Sequence, residues 1–195
     1  VAANGRIHVG VMINNQLGYM GFSSDQGASW TAMDLPRTPE GGSFGNQGLQ
    51  PRQRAGNQGL IHFSIIVDPT DPNTVYLGGD RQPGGNFDGN FPNFIGANDF
   101  SGRLFRGDTT IAPTGASPSP QWEHLTHSNS VAQTPEGGTA SSSAPHADSR
   151  DMAFDAAGNL IEGDDGGIFR RTSPRNNTGD WFSINGNLQV TEQHD

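Results

Sequence analysis

The stretch SSDQGASW at residues 23–30 decides the fold prediction. Short apolar, strand-like runs flank it on both sides. We expect the carboxylate of Asp25 to fold back onto N–H groups of the turn, and Gly27 to supply a backbone conformation that other residues avoid. Trp30 is expected to fill the interior beside the turn. The stretch therefore predicts a β-hairpin with Ser23, Asp25, Gly27 and Trp30 as its structural residues.

The composition indicates an all-β domain with long loops. The 195 residues include 28 Gly and 13 Pro, and only 31% of the chain is hydrophobic. No long run has apolar residues at the spacing of an amphipathic helix. The length suits a single domain. Because many residues lie in stretches rich in Gly, Asn, Gln and Ser, we expect a thin hydrophobic core.

The charged residues narrow the classes of partner and chemistry. The formal net charge is −9, and the 11 basic residues are all Arg. An acidic chain without a basic cluster argues against nucleic acid as a partner. The absence of Lys excludes a P-loop lysine and a Schiff-base lysine, and the absence of Cys excludes disulfides and thiolate chemistry. The sequence shows neither a signal peptide nor an apolar run of membrane-spanning length.

An internal repeat organises the chain. Each tryptophan follows a polar turn and begins a short apolar run: Trp30, Trp122 and Trp181. A matching run lies upstream of each and contains a phenylalanine: Phe22, Phe105 and Phe169. Alignment on these phenylalanines pairs Asp25 with Asp108 and Thr172. One turn motif is then complete and two are eroded.

The repeat predicts units of four short antiparallel strands. Residues 65–69 match residues 152–156, and residues 75–80 match residues 158–164. The first unit supplies three strands. The predicted boundaries within a single domain of residues 1–195 are 1–35, 62–127 and 150–187, with the start of a further unit at 190–195.

Three motifs together resemble the Asp-box (BNR) β-propeller superfamily, which includes sialidases, xyloglucan-degrading glycoside hydrolases and sortilin-like receptors. They are residues 23–30, the VDPTDPNTVYLGG run at 67–79 and DGGIF at 165–169. The resemblance implies a β-propeller of four-stranded blades at the cell surface or outside the cell. About three blades are represented, and propellers have four to eight. We expect a fragment of a longer chain; the alternative is that neighbouring copies complete the ring.

A sialidase site is not expected, because the family's tyrosine nucleophile has no counterpart. Tyr19 and Tyr76 are the only tyrosines, and both lie within predicted strands. The family's paired xyloglucanase aspartates cannot be placed on this sequence either. The resemblance therefore predicts a fold but no catalytic residues, and we expect any functional site in the loops.

The densest polar segment is HADSRD at residues 146–151, directly before the innermost strand of the third unit. His146 and Asp148 would lie on the same side of an extended segment and share a metal or a proton. The structural alternative, which is favoured, is that these groups tie a loop between blades. The candidate binding residues are His146, Asp148, Arg150, Asp80 and Arg81.

The GDDGG turn at residues 163–167 offers adjacent carboxylates. Such oxygens could bind Ca²⁺, although Asp and Gly form ordinary turns equally well. Paired carboxylates also suit glycoside hydrolysis, for which Glu162 is a further available group. The candidate catalytic residues are Asp148, Asp151, Asp164 and Asp165. His62 does not match the repeat position of His146 and receives no role.

A long insertion contains four phenylalanines, at Phe87, Phe91, Phe94 and Phe100. Exposed aromatic rings beside amides would suit a sugar platform, but phenylalanine lacks a polar handle, so a small satellite core is favoured. The leading hypothesis is an extracellular binding or scaffold module with glycans as candidate ligands. The alternatives are a glycoside hydrolase with carboxyls about 6.5–9.5 Å apart and a Ca²⁺-stabilised adhesin repeat.

Overall fold

The computed structural model describes residues 5–39, 45–51, 57–84, 90–93, 95–126 and 143–187. These ranges contain β-strands and no α-helix, so the all-β prediction is confirmed. A helix suited to crossing a membrane is accordingly absent from this part of the chain. The tail at residues 190–195, predicted to begin a further unit, lies outside the described residues.

The strands form three antiparallel sheets, and each sheet keeps the chain order of its strands. Sheet one contains three strands: β1 (Ile7–Ile13), β2 (Gln16–Ser23) and β3 (Thr31–Met33). Sheet two contains four: β4 (Ser64–Val67), β5 (Thr74–Arg81), β6 (Gly102–Asp108) and β7 (Trp122–His124). Sheet three contains four: β8 (Asp151–Phe154), β9 (Leu160–Asp164), β10 (Gly167–Arg171) and β11 (Trp181–Ser183). The strand counts agree with the repeat.

The β2–β3 turn is held by its own side chains. Asp25 accepts hydrogen bonds from Ser29 N at 2.9 Å and from Ser23 Oγ at 2.7 Å. Ser23 Oγ in turn accepts from Gly27 N at 2.8 Å. The hydrogen bonds from Ser29 and Ser23 lower the pKa of the Asp25 carboxyl to about 2. The Asp25 carboxylate therefore braces the turn.

The three sheets stack face to face, with sheet two in the middle. Side chains of a strand alternate between its two faces. Leu77 and Phe105 accordingly join the apolar cluster shared with sheet one, whereas Tyr76 and Leu104 join the cluster shared with sheet three. Each cluster fills one joint between neighbouring sheets.

Tryptophans mark both joints. The indole N–H of Trp122 donates to the carbonyl of Asp34 in the preceding sheet at 2.7 Å, and that of Trp181 donates to the carbonyl of Leu125 at 3.0 Å. The expectation that Trp30 fills the interior is wrong, because 45% of its surface is exposed. Trp30 faces away from sheet two, and the described residues place no sheet on that side.

The alignment of the repeat on phenylalanines is also wrong by one position. Phe22 packs toward the following sheet, whereas Phe105 and Phe169 pack toward the preceding one. In the paired strands Trp122 lies opposite Gly107, and Trp30 falls opposite Ser23 by continuation of the β2–β3 register. Because faces alternate along a strand, the tryptophans are the equivalent residues. Asp108 and Thr172 therefore do not correspond to Asp25.

Candidate functional site

The candidate site is a polar cluster of four residues: His62, Asp80, Asp148 and Asp165. It lies between sheets two and three, where β4 and β8 begin and β5 and β9 end. The two sheets meet closely there, since the hydroxyls of Ser64 and Ser149 are 2.6 Å apart. Ser149 N also donates to the carbonyl of Gly79 at 2.9 Å. A side chain at Gly78 would collide with both serines, so this close approach requires glycine.

His62 is the centre of the cluster. Its side chain is nearly buried, and its Nδ1 lies 3.1 Å from Asp148 Oδ1 and 3.3 Å from Asp80 Oδ1. Burial lowers the pKa of His62, but the two carboxylates outweigh it and raise the pKa to about 9. Burial also raises the pKa of Asp80, whose Oδ2 accepts from Gln58 N at 3.1 Å. One imidazolium thus joins carboxylates of two sheets.

Asp165 extends the cluster toward solvent. Its Oδ1 lies 2.9 Å from one terminal nitrogen of Arg150 and accepts a hydrogen bond from Arg150 Nε at 3.0 Å. His62, Asp148 and Asp165 each offer a possible metal-ligand atom, and these atoms lie within 4.8 Å of one another. The cluster therefore combines one imidazole and three carboxylates, those of Asp80, Asp148 and Asp165, beside a guanidinium.

Glu162 and Asp164 form an acidic pair on the face of β9 that packs toward sheet two. Glu162 is fully buried, and burial together with the neighbouring Asp164 raises its pKa well above the usual range. Asp164 accepts a hydrogen bond from Gly166 N at 2.8 Å, and burial raises its pKa to about 6. Because two close carboxylates resist ionising together, the pair binds its proton more tightly than isolated carboxyls do.

Phe100 forms an aromatic rim beside the cluster. Its ring is 57% exposed and stacks on the His146 imidazole, with the centroids 5.9 Å apart and the planes at 13°. The Arg81 guanidinium lies 5.6 Å from the centre of the same ring and pairs with Asp99 at 3.0 Å. The satellite-core prediction is therefore wrong for Phe100; Phe87 and Phe94 lie outside the described residues.

The structure separates two candidates that the sequence placed together. Asp148 has φ of 74°, so the segment is not extended there, and Asp148 forms its ion pair with His62 rather than with His146. Asp151 lies on the face of sheet three that points away from sheet two, and its Oδ1 accepts from Met152 N at 2.8 Å. Asp148 therefore pairs with His62 and not with His146 as the spacing predicted, whereas Asp151 faces away from sheet two.

His62 is the residue that the sequence reasoning missed. A usable signal existed, because His62 precedes β4, the first strand of its sheet, just as residues 146–150 precede β8. Such positions meet when neighbouring sheets stack. The sequence comparison considered only whether His62 matches His146. Because these two histidines are not equivalent in the repeat, it did not show that the segments before β4 and β8 meet.

A polar cavity of about 290 Å³ lies at the opposite end of sheet two. Its lining includes Arg106, Arg175, Asp71, Asp108 and Glu123. Arg175 there pairs with the buried Asp68 at 2.7 Å, which ties the β10–β11 loop to sheet two. The mixed charges of this cavity favour no one class of ligand.

No protein-family model, curated protein or solved structure matches this chain. Its resemblance to Asp-box propellers therefore depends on the three motifs of the sequence. The strand order within each sheet and the distances within the site come from contacts of this chain alone.

Proposed function

We propose that this chain is part of an Asp-box propeller that acts as an extracellular binding module for glycans. The observation that carries the proposal is the exposed Phe100 ring, stacked on His146 beside Arg81 and Asp99. The ring provides a flat apolar surface, and the flanking charged groups provide hydrogen-bond donors and acceptors. Binding sites commonly combine an apolar surface with a few fixed polar groups.

The surroundings hold this rim in place. Phe100 O accepts from Ala147 N at 2.8 Å, and Gly102 N donates to Pro145 O at 3.1 Å. These bonds fasten the Phe100 segment of sheet two to the His146 segment of sheet three. The rim is therefore supported by backbone bonds between sheets, and its ring is presented without a large ordering cost on binding.

Replacing Phe100 by alanine should weaken glycan binding about tenfold or more, because the stacking surface is lost. The measurement is a glycan array, followed by titration calorimetry with the glycan that binds best. Ile111→Ala is the control, since Ile111 is also exposed but lies at the other end of sheet two. Absence of any bound glycan, or equal affinity of the Phe100→Ala protein, would reject the proposal.

Glycoside hydrolysis is the alternative function, and the raised pKa of Asp164 is the observation that favours it. A carboxyl whose pKa is raised toward neutral pH suits a general acid better than an ordinary aspartate does. Against it, Asp164 is 8% exposed and Glu162 is fully buried, which leaves little access for a sugar. A glycan that binds on the array should therefore stay intact when it is incubated with the protein. If the native protein releases new reducing ends from it and Asp164→Asn does not, hydrolysis is established instead.

A cation site is a further candidate, favoured by the grouping of His62, Asp148 and Asp165. An imidazole nitrogen with two carboxylates suits Zn²⁺ or Mn²⁺ better than Ca²⁺, which prefers oxygen ligands. Arg150 opposes binding, because its guanidinium already occupies Asp165. The cation candidate at this cluster thus differs from Ca²⁺, which the 163–167 turn could bind according to the sequence.

Melting of the protein after chelation, with and without added Zn²⁺ or Mn²⁺, tests the cation candidate. A bound cation should raise the melting temperature of the native protein and leave that of Asp148→Asn unchanged, because that variant loses one ligand. Asp151→Asn is the matched control, since Asp151 lies outside the cluster. An equal rise in all three proteins, or no rise in the native protein, would exclude this site.

A further inference from the structure

The β10–β11 loop contains a motif that neither the fold nor the candidate site uses. Asn176, Asn177 and Thr178 form an asparagine–X–threonine triplet, the acceptor pattern for N-linked oligosaccharides in secreted proteins. The sequence contains this pattern once, and the middle residue is not proline. The pattern by itself is short, so its conformation and exposure decide whether the folded chain can hold a sugar there.

The turn uses the amide oxygen of Asn176 and leaves its amide nitrogen available. Asn176 Oδ1 accepts hydrogen bonds from Thr178 N at 2.9 Å and from Thr178 Oγ1 at 2.7 Å. Asparagine side chains commonly bind the backbone two residues further on in this way. The amide nitrogen of Asn176 has no hydrogen-bond partner among the residues that the structure describes. A sugar that replaces one hydrogen of this nitrogen therefore breaks no bond of the turn.

The neighbouring Asn177 is engaged at both ends of its amide. Its Nδ2 donates to Glu123 Oε2 at 3.4 Å, and its Oδ1 accepts from Arg106 at 2.8 Å. Both partners belong to sheet two, so the Asn177 side chain fastens the loop to that sheet. The geometry thus separates two adjacent asparagines: Asn177 holds the loop in place, and Asn176 has a nitrogen that can be modified.

The loop presents Asn176 to solvent from a fixed base. All three residues of the triplet are exposed. Directly before them, Arg175 pairs with the buried Asp68 at 2.7 Å. This base lies at the end of sheet two opposite the aromatic rim at Phe100. N-linked sugars are bulky and lie at protein surfaces, and the position of Asn176 meets that requirement without covering the rim.

We propose that Asn176 is an acceptor for an N-linked oligosaccharide. The donor is a lipid-linked oligosaccharyl diphosphate, used by the transferase of the secretory compartment. The Asn176 amide nitrogen bonds to the anomeric carbon, the bond from that carbon to the diphosphate oxygen breaks, and the amide gives one proton to a base of the transferase. The diphosphate leaves with the electron pair of the broken bond. The inference rests on the extracellular location in the proposed function and not on glycan recognition at Phe100.

Secretion of this chain from a eukaryotic cell, behind a cleavable leader, tests the acceptor. The native protein should migrate more slowly in gel electrophoresis, and digestion with peptide N-glycosidase should remove the shift. Asn176→Gln and Thr178→Val should each lose the shift, because the first removes the acceptor nitrogen and the second removes the hydroxyl that binds the amide. Thr178→Ser keeps that hydroxyl and should keep the shift. Asn177→Gln is the matched control and should also keep it.

Two results would overturn the inference. One is a native protein without the shift, made in cells in which a co-expressed reporter glycoprotein carries its own N-linked sugar. The other is a shift that persists in Asn176→Gln. Cell lysates are digested beside the medium, so a variant that is retained in the cell still gives the readout. The shift does not involve sugar binding: its loss leaves the proposal for Phe100 standing, and an empty glycan array leaves an observed shift at Asn176 standing.

Discussion

Replacing Arg103 by alanine should lower the free energy of unfolding by about 3–5 kcal/mol. Arg103 is fully buried, and its Nε donates to Gly48 O at 2.9 Å. Its terminal nitrogens donate to Gln82 Oε1 at 2.9 Å, to Gln47 O at 3.0 Å and to Thr38 Oγ1. The variant leaves these buried acceptors unsatisfied and detaches the segment around residues 38–48 from sheet two.

Urea denaturation followed by tryptophan fluorescence measures this loss. Arg37→Ala is the matched control, because Arg37 is exposed and donates to Asn46 O at 3.0 Å. We expect a change of about 0.5 kcal/mol or less for that variant. Arg103→Lys should fall between the two, since lysine keeps the charge but lacks the planar fork. Equal stability of the Arg37 and Arg103 alanine variants would contradict the assignment.

The second large effect is expected at His62, whose replacement by asparagine should cost about 3 kcal/mol near pH 6. The folded-state pKa of about 9 lies above the ordinary histidine value near 6.5. The stability from the bound proton is therefore fully present below about pH 6.5 and is lost as the pH rises through about 9. The native protein should lose more stability across this window than His62→Asn does, because the Glu162–Asp164 pair titrates in both proteins and only the native protein also loses the His62 proton.

The experiment is a series of urea melts between pH 6 and pH 9.5 with a chelator present, so that no cation competes for His62. His8→Asn is the matched control. Burial lowers the pKa of His8, so this residue does not produce a loss of stability above pH 6.5. The control should keep the slope of the native protein. If the free energy of unfolding of His62→Asn falls with pH as steeply as that of the native protein, a group other than His62 causes the loss of stability in this window.

The sequence predicted the strands and the braced turn because both depend on local chemistry. The Asp25 carboxylate accepts hydrogen bonds from Ser23 and Ser29 of its own turn, and apolar alternation identifies the strands without reference to the rest of the fold. Trp122 and Trp181 were located by the repeat. Such features need only neighbouring residues and a period, and both can be read from the chain.

The site depended on contacts that no local pattern contains. His62 and Asp148 are far apart in sequence and meet only because β4 and β8 begin side by side. Arg103 is buried although arginine is ordinarily a surface residue, because Gln82 and the distant residues Thr38, Gln47 and Gly48 supply its acceptors. Phe100 is exposed for the converse reason, since His146 and Arg81 hold its ring at the surface.

The central place of sheet two has a consequence for the order in which the molecule opens. Both faces of sheet two are covered, whereas sheets one and three each have a neighbour on one side among the described residues. In stacked repeats, stability is approximately a sum of unit and nearest-neighbour terms. The outer sheets are therefore the first to fray, and amide protection against hydrogen exchange is greatest in β5 and β6.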